Sequence, residues 1–266
     1  MSETLLYAQD GPVVTLTINR PDMRNPLGEP GDGETFQNAV ARIMADRGVR
    51  CVILTGAGSA FSAGGNIKAM ANKESSFSGS AHHVADKYRR GIHQIIKALW
   101  SLEVPLIAAV NGPAIGLGND VACLADMRIS SDKAIFGSTF LKIGLIPGDG
   151  GAWLLPRTIG MSRAAELLFT GKTISAQEAL DWGLVSKVVP HETLMDEANA
   201  MAALIVQQSP EALRAAKRLL RHGQSVSFDS LMEMSATAQA LMHASDDHLE
   251  AVNAFIEKRK PEFNDS

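Results

Sequence analysis

The sequence predicts an α/β protein closed by an all-helical C-terminal region, and three observations carry that reading. Short apolar runs alternate with helically spaced segments through the first third of the chain, glycine-rich loops follow two of those runs, and strand patterns stop after residue 190. With 266 residues, 45% of them hydrophobic, the chain can bury one large core, with or without a smaller appendage.

Residues 13–19 (VVTLTIN) alternate at period two after a Gly-Pro turn, as a half-buried strand does. Residues 34–47 follow helical spacing, with Phe36, Val40, Ile43 and Met44 on one face. The runs CVILT (51–55) and PLIAAV (105–110) are short and continuously apolar, which predicts strands buried on both faces. Between them the polar stretch KESSFSGS predicts a mobile loop, followed by a helical segment reaching Trp100. Beyond residue 190, segments 191–208, 210–222, 228–245 and 247–258 read as successive helices, and Ser209-Pro210-Glu211 is a strong start signal for the second. The expected organisation is a core over residues 1–195 and a helical region over 196–266 that adds a layer or an assembly surface.

A net charge of -4 gives no basic face for nucleic acid, and the basic EKRKP segment near the end is only a local cluster. Cys51 and Cys123 lie in apolar runs where a thiol behaves as a small hydrophobe, so no disulfide framework is expected. The opening MSETLLYAQDG lacks the basic start and apolar stretch of a signal peptide, and no segment reaches the roughly 18 apolar residues of a membrane span. The expected compartment is the cytoplasm. His82, His83 and His93 lack metal-ligand spacing to one another or to cysteine, and no metal is expected.

The two glycine-rich loops carry the chemistry. CVILT runs into GAGSAFSAGGN and then a helix near Ile67; PLIAAV runs into NGPAIGLGND and then a helix containing residues 121–124. Glycine lets backbone approach a ligand, and each helix start leaves amide N–H groups without internal partners, so two such loops can aim amides at one anion. Either loop alone is equally a tight strand-to-helix turn. GAGSAF also begins like a dinucleotide-binding GxGxxG, but Phe61 stands at the last glycine and is too large for close helix-to-strand packing.

Residues 49–69, VRCVILTGAGSAFSAGGNIKA, closely resemble the first signature of the enoyl-CoA hydratase/isomerase (crotonase) family. Residues 105–129, PLIAAVNGPAIGLGNDVACLADMRI, resemble the second, and residues 136–185 continue the match through GLIPGDGGAWLLPR and SAQEALDWGLV. INRPDMRNPL and AFIEKRKPEF fit as well, so the resemblance covers nearly the whole chain in order.

The resemblance implies a crotonase-like spiral of ββα repeats with a C-terminal helical trimerisation region, assembling as a homotrimer or a dimer of trimers. It implies an acyl-CoA substrate lying between the glycine loops and no separate cofactor, since coenzyme A travels with the substrate. By position the oxyanion donors are the N–H groups of Gly65 and Leu117, which would hold the charge that develops on the thioester oxygen. Arg24 and Pro26 match one wall of the coenzyme site; Ala63, Asn66 and Ile67 match the other, with Asn66 replacing a more frequent aspartate but still able to cap the next helix. Lys258, Arg259 and Lys260 either approach the coenzyme phosphates or form a solvated charge run.

The acid and base positions depart from the family pattern. Hydratases of the family place one carboxylate just after the second loop and another about twenty residues later, one activating water and the other protonating carbon. The first position is Asp120, shorter than the usual glutamate, and the second is Phe140, a departure that leaves two readings of the resemblance: an enoyl-CoA hydratase or isomerase acting on an unsaturated acyl-CoA, or an acyl-CoA-binding homologue without ordinary hydratase activity. Asp149 follows Gly148, where other branches of the family carry a catalytic aspartate. It either substitutes for the missing carboxylate or caps the helix that follows.

Overall fold

The computed structural model describes residues 4–263. The chain opens with β1 (Leu5–Asp10) and β2 (Val13–Ile18), an antiparallel pair turning at Gly11, followed by α1 (Asp32–Ala45). β3 (Cys51–Gly56) leads through the first glycine loop to α2 (Ile67–Asn72), α3 (Ala81–Arg90) and α4 (Ile92–Ser101). β4 (Leu106–Val110), β5 (Ala114–Ile115) and α5 (Leu117–Leu124) follow, then β6 (Met127–Ser131), β7 (Ile135–Gly137), α6 (Gly151–Ile159) and α7 (Met161–Thr170). β8 (Thr173–Ser175), α8 (Ala176–Asp181) and β9 (Lys187–Val189) complete the sheets, and α9 (Leu194–Ile205), α10 (Pro210–His222), α11 (Phe228–His243) and α12 (Asp246–Glu257) end the chain.

Six strands form one sheet in the order β1-β2-β3-β4-β6-β9, parallel from β2 onward; β5, β7 and β8 form a second, smaller sheet. β4, β5 and α5 make one ββα turn, with a strand in each sheet, and β6, β7 and α6 make the next. The turn before them has the same plan, because Ser62 bridges Ala114 in parallel where a strand of the second sheet would lie. These stacked turns are the expected spiral.

Burial explains why β3 and β4 read as continuous apolar runs. Val52, Leu54, Leu106 and Ala108 join the core beneath α1, α4 and α5 with Phe36, Ile95 and Val121. Their neighbours Cys51, Ile53, Ile107 and Ala109 point to the opposite face, which α9 covers with Leu194, Ala198 and Ala202. The expected division at residue 195 therefore falls inside α9, and the sheet-covering part of the chain extends through that helix. α10 begins as its signal predicts, with Ser209 accepting from the Ala212 N–H and Pro210 in the first turn. It is fastened by buried cations: Arg214 donates to the Val49 carbonyl at 3.1 Å, and Lys217 donates to the Val104 carbonyl at 2.6 Å while pairing with Asp126 at 2.7 Å.

Two expectations need correction. Residues 73–80, expected as a mobile loop, contain a 3-10 turn at Ser75–Phe77 that is tied down at several points. Ser76 donates to the Gly28 carbonyl, Ser75 to Glu29, and the Lys87 ammonium to the Ser75 and Ser78 carbonyls. The helical segment reaching Trp100 is two helices, because the backbone leaves helical geometry at Gly91 (φ -116°, ψ -92°). Among the described residues no helix is long and apolar enough to cross a membrane, and no cluster of His, Cys, Asp and Glu is placed to hold a metal.

Candidate active site

The two glycine loops meet side by side. A side chain on Gly118 would overlap the Ser62 carbonyl oxygen, and a Cβ on Gly64 would lie 2.6 Å from the Ile115 carbonyl oxygen. This contact explains the glycines: the chains approach too closely for any larger residue. The Leu117 N–H heads α5, where no intrahelical acceptor exists, and the Gly65 N–H precedes α2; neither donates to another backbone or side-chain acceptor among the described residues. Asn66 caps α2 as expected, accepting from the Ala69 N–H at 3.1 Å while its own amide donates to Glu29 at 2.8 Å.

Between the loops lies a narrow cavity of about 40 Å³, walled by Gly65, Leu117, Phe140, Tyr88, Met70 and Asp149 among others. Phe140 stands where the family pattern has its second carboxylate, with its ring about 3.5 Å from the position a side chain would take on Gly116. On the outer side the cavity shares Ala63, Gly65 and Ile67 with a larger groove of about 590 Å³, which Arg24, Pro26, Asn66 and Lys68 also line. The structure thus gathers the residues expected to contact the coenzyme, with Leu117 and Phe140 on the inner cavity and the others along the groove. Arg259 is held by Glu250 and Glu257, near its own helix end.

The two candidate carboxylates have different surroundings. Asp149 lines the cavity, is 3% exposed, and leaves its Oδ1 without a partner. It does not cap α6: the cap position is Gly150, in the left-handed region at φ 110°, with no side-chain cap bond. Asp120 takes that part from across the core, its Oδ2 accepting from the Gly151 N–H at 2.9 Å. Asp120 is fully buried and is not part of the cavity wall, whereas Asp149, the other carboxylate expected to move protons, is. Burial pushes Asp149 up to about 7; burial and then the Asp149 charge push Asp120 up to about 8.

Sequence reading missed the residues that support this arrangement. Asn25, fully buried at φ 57°, donates to the Ala57 and Ala60 carbonyls at 2.8 and 2.7 Å and accepts from the Arg20 N–H, clamping the MRNPL turn to the first glycine loop. Tyr88 and Met70 line the cavity from α3 and α2. His93 places Nε2 3.0 Å from the carbonyl of Gly148, next to Asp149, and meets the Tyr88 ring edge-on. Only the asparagine, in a tight turn between two prolines, carries a local signal for its conformation.

Residues 8–266 match the enoyl-CoA hydratase/isomerase family pattern. The chain belongs to this family. It is 34% identical to a 1,2-epoxyphenylacetyl-CoA isomerase of Escherichia coli, covering 99% of both chains. It is 37% identical to a short-chain-enoyl-CoA hydratase of Clostridium acetobutylicum over 97% of this chain and 96% of the other. Among solved structures of the family, the enoyl-CoA hydratase from Bacillus anthracis superposes with a TM-score of 0.92 at 35% identity, covering 99% of this chain and 100% of that one.

Proposed function

We propose that this family member is an enzyme acting on an unsaturated acyl-CoA thioester, and that it moves a double bond by shuttling one proton through Asp149. The observation that carries this reading is the composition of the inner cavity: among the described residues, its titratable side chains are Asp149 and Tyr88, while Phe140 holds the second carboxylate position and Asp120 lies behind the wall. Burial raises the Tyr88 phenol to about 12, so it stays protonated at neutral pH. Hydration needs one group to activate water and another to protonate carbon, whereas a 1,3-proton shift needs one carboxylate.

In the proposed reaction the Asp149 carboxylate takes a proton from C2 of a 3-enoyl thioester. The C–H electrons form a C1–C2 double bond as the carbonyl π electrons move to oxygen, giving a dienolate whose oxygen accepts from the Gly65 and Leu117 N–H groups. One such donor is typically worth about 3–4 kcal/mol of barrier. The Asp149 acid then returns the proton at C4 and the carbonyl re-forms, so one C–H bond breaks, one forms, and no cofactor beyond the substrate's own coenzyme A takes part. The groove past Arg24, Pro26, Ala63, Asn66 and Ile67 would hold that coenzyme.

Hydration is the second reading, favoured by the hydratase names of relatives. A panel of 2-enoyl esters assayed for water addition and 3-enoyl esters assayed for double-bond migration separates them. We expect migration to dominate, and Asp149→Asn to lower turnover by at least about a hundredfold while acyl-CoA affinity is retained. As a base must be ionised, kcat/KM should fall as pH drops below about 7. Dominant hydration, or near-normal turnover in Asp149→Asn, overturns the proposal. For assembly we propose a homotrimer or a dimer of trimers, supported by the apolar side chains that α11 and α12 leave exposed.

A further inference from the structure

The inner cavity has a second neighbour. Behind Ile67, Met70, Tyr88, Ile143 and Leu145, which it shares as walls, opens a chamber of about 470 Å³ between α2 and α3, completed by Ala71, Phe77 and Val84. We infer that this chamber takes the far end of an extended, wholly apolar acyl chain, so that medium-chain thioesters are bound in preference to four-carbon ones and to acyl groups ending in a carboxylate. The inference rests on the reading that the thioester lies between the glycine loops.

Three spaces in succession have different chemistry. The outer groove carries the charged side chains of Asp22, Arg24 and Lys68; the inner cavity carries Asp149; the chamber has no charged residue in its wall, and Tyr88 supplies its one polar side-chain atom. A ligand with a charged end and an apolar end is therefore oriented in one direction. The inner cavity, at about 40 Å³, is less than a tenth of the chamber's 470 Å³. It has room around the reacting carbons and little more, so a longer chain must continue onward, and the shared walls lead to the chamber. There Ile67, Ile143 and Leu145 remain 55%, 47% and 37% exposed, apolar surface that a hydrocarbon tail would cover. A terminal carboxylate would lose its hydration with no cation or amide to replace it.

Burying one methylene is expected to raise affinity by up to about fourfold. The test is calorimetric titration of the full-length protein with saturated CoA esters from butanoyl to decanoyl, and with adipyl-CoA beside hexanoyl-CoA. Affinity should rise at least tenfold from butanoyl to octanoyl, and hexanoyl-CoA should bind at least tenfold tighter than adipyl-CoA. Ala71→Trp, which fills the chamber from an exposed position on α2, and Val84→Asp, which places a charge in it, should each flatten the length series. Equal affinity at all lengths overturns the inference. So does adipyl-CoA binding as well as hexanoyl-CoA, or a length series unchanged in both folded variants, which would leave the chamber as a surface for another molecule. Saturated esters cannot isomerise, so this result stands apart from the turnover assays that judge the proton shuttle.

Discussion

Asp120 and Asp149 show how much two residues of one type can differ when only their surroundings change. Both were recognisable as chemically relevant in the sequence, because each falls at or beside a family carboxylate position. Which of them lines the cavity was not recognisable, since it depends on how the turn at Gly150 and Gly151 aims the start of α6. Their burial has a consequence for stability. A carboxyl group whose folded value lies near 8, against an ordinary 3.8, binds its proton more tightly in the folded state. Its favourable contribution is complete below about pH 4 and is lost as pH rises toward 8, where the charge must be carried without water. Asp120→Asn keeps an oxygen for the Gly151 N–H and removes that charge. We therefore expect this variant to be more stable than the parent at pH 8, with a smaller difference at pH 5; thermal unfolding across that range checks it, and a parent that is equally stable at both ends refutes it.

Among the elements, the strands buried on both faces were the most legible, because continuous apolar runs of five or six residues have few other uses in an α/β chain. β1 was not read, since its burial pattern is mostly exposed along LLYAQD and it is held as an edge strand by β2. The anchoring of residues 73–80 was also hidden, because it depends on partners distant in sequence such as Gly28 and Glu29. The same is true of the Asn25 clamp, which joins a turn to a glycine loop more than thirty residues away. Asn25→Ala would leave the buried Ala60 carbonyl, the half-buried Ala57 carbonyl and one N–H without their partner, and alanine tolerates φ near 57° less well than asparagine. We expect a loss of about 2–4 kcal/mol, measured by urea unfolding; a change under about 0.5 kcal/mol would show that the turn holds itself.

At the scale of the whole molecule, the four terminal helices do different work. α9 closes the second face of the sheet, and α10 is fixed to the core through Arg214 and Lys217, whose burial drives the lysine down to about 8. α11 buries none of its residues and α12 only Ala254, while Phe228, Leu241, Leu249, Phe255 and Ile256 are 60–86% exposed. The sequence located these helices but could not tell a core-covering helix from an outlying one, since both show apolar residues at helical spacing. So much exposed apolar surface fits contact with other copies. We expect light scattering at micromolar concentration to give a trimer or hexamer, and Phe255→Glu with Ile256→Glu to shift it toward smaller species; a monomeric parent contradicts the proposed assembly.

The bridge between Ser62 and Ala114 sets a scale for the chemistry proposed above. Gly65 stands three residues beyond one partner and Leu117 three beyond the other, so the two amides occupy equivalent points on consecutive coils of the same winding. Adjacent strands lie about 4.8 Å apart, a gap that one oxygen atom can span by accepting from both sides. The sheet's own repeat is thus the ruler for the pair of donors. Substitutions that leave the winding intact should leave that gauge unchanged, and tuning of the reaction falls to the side chains facing it.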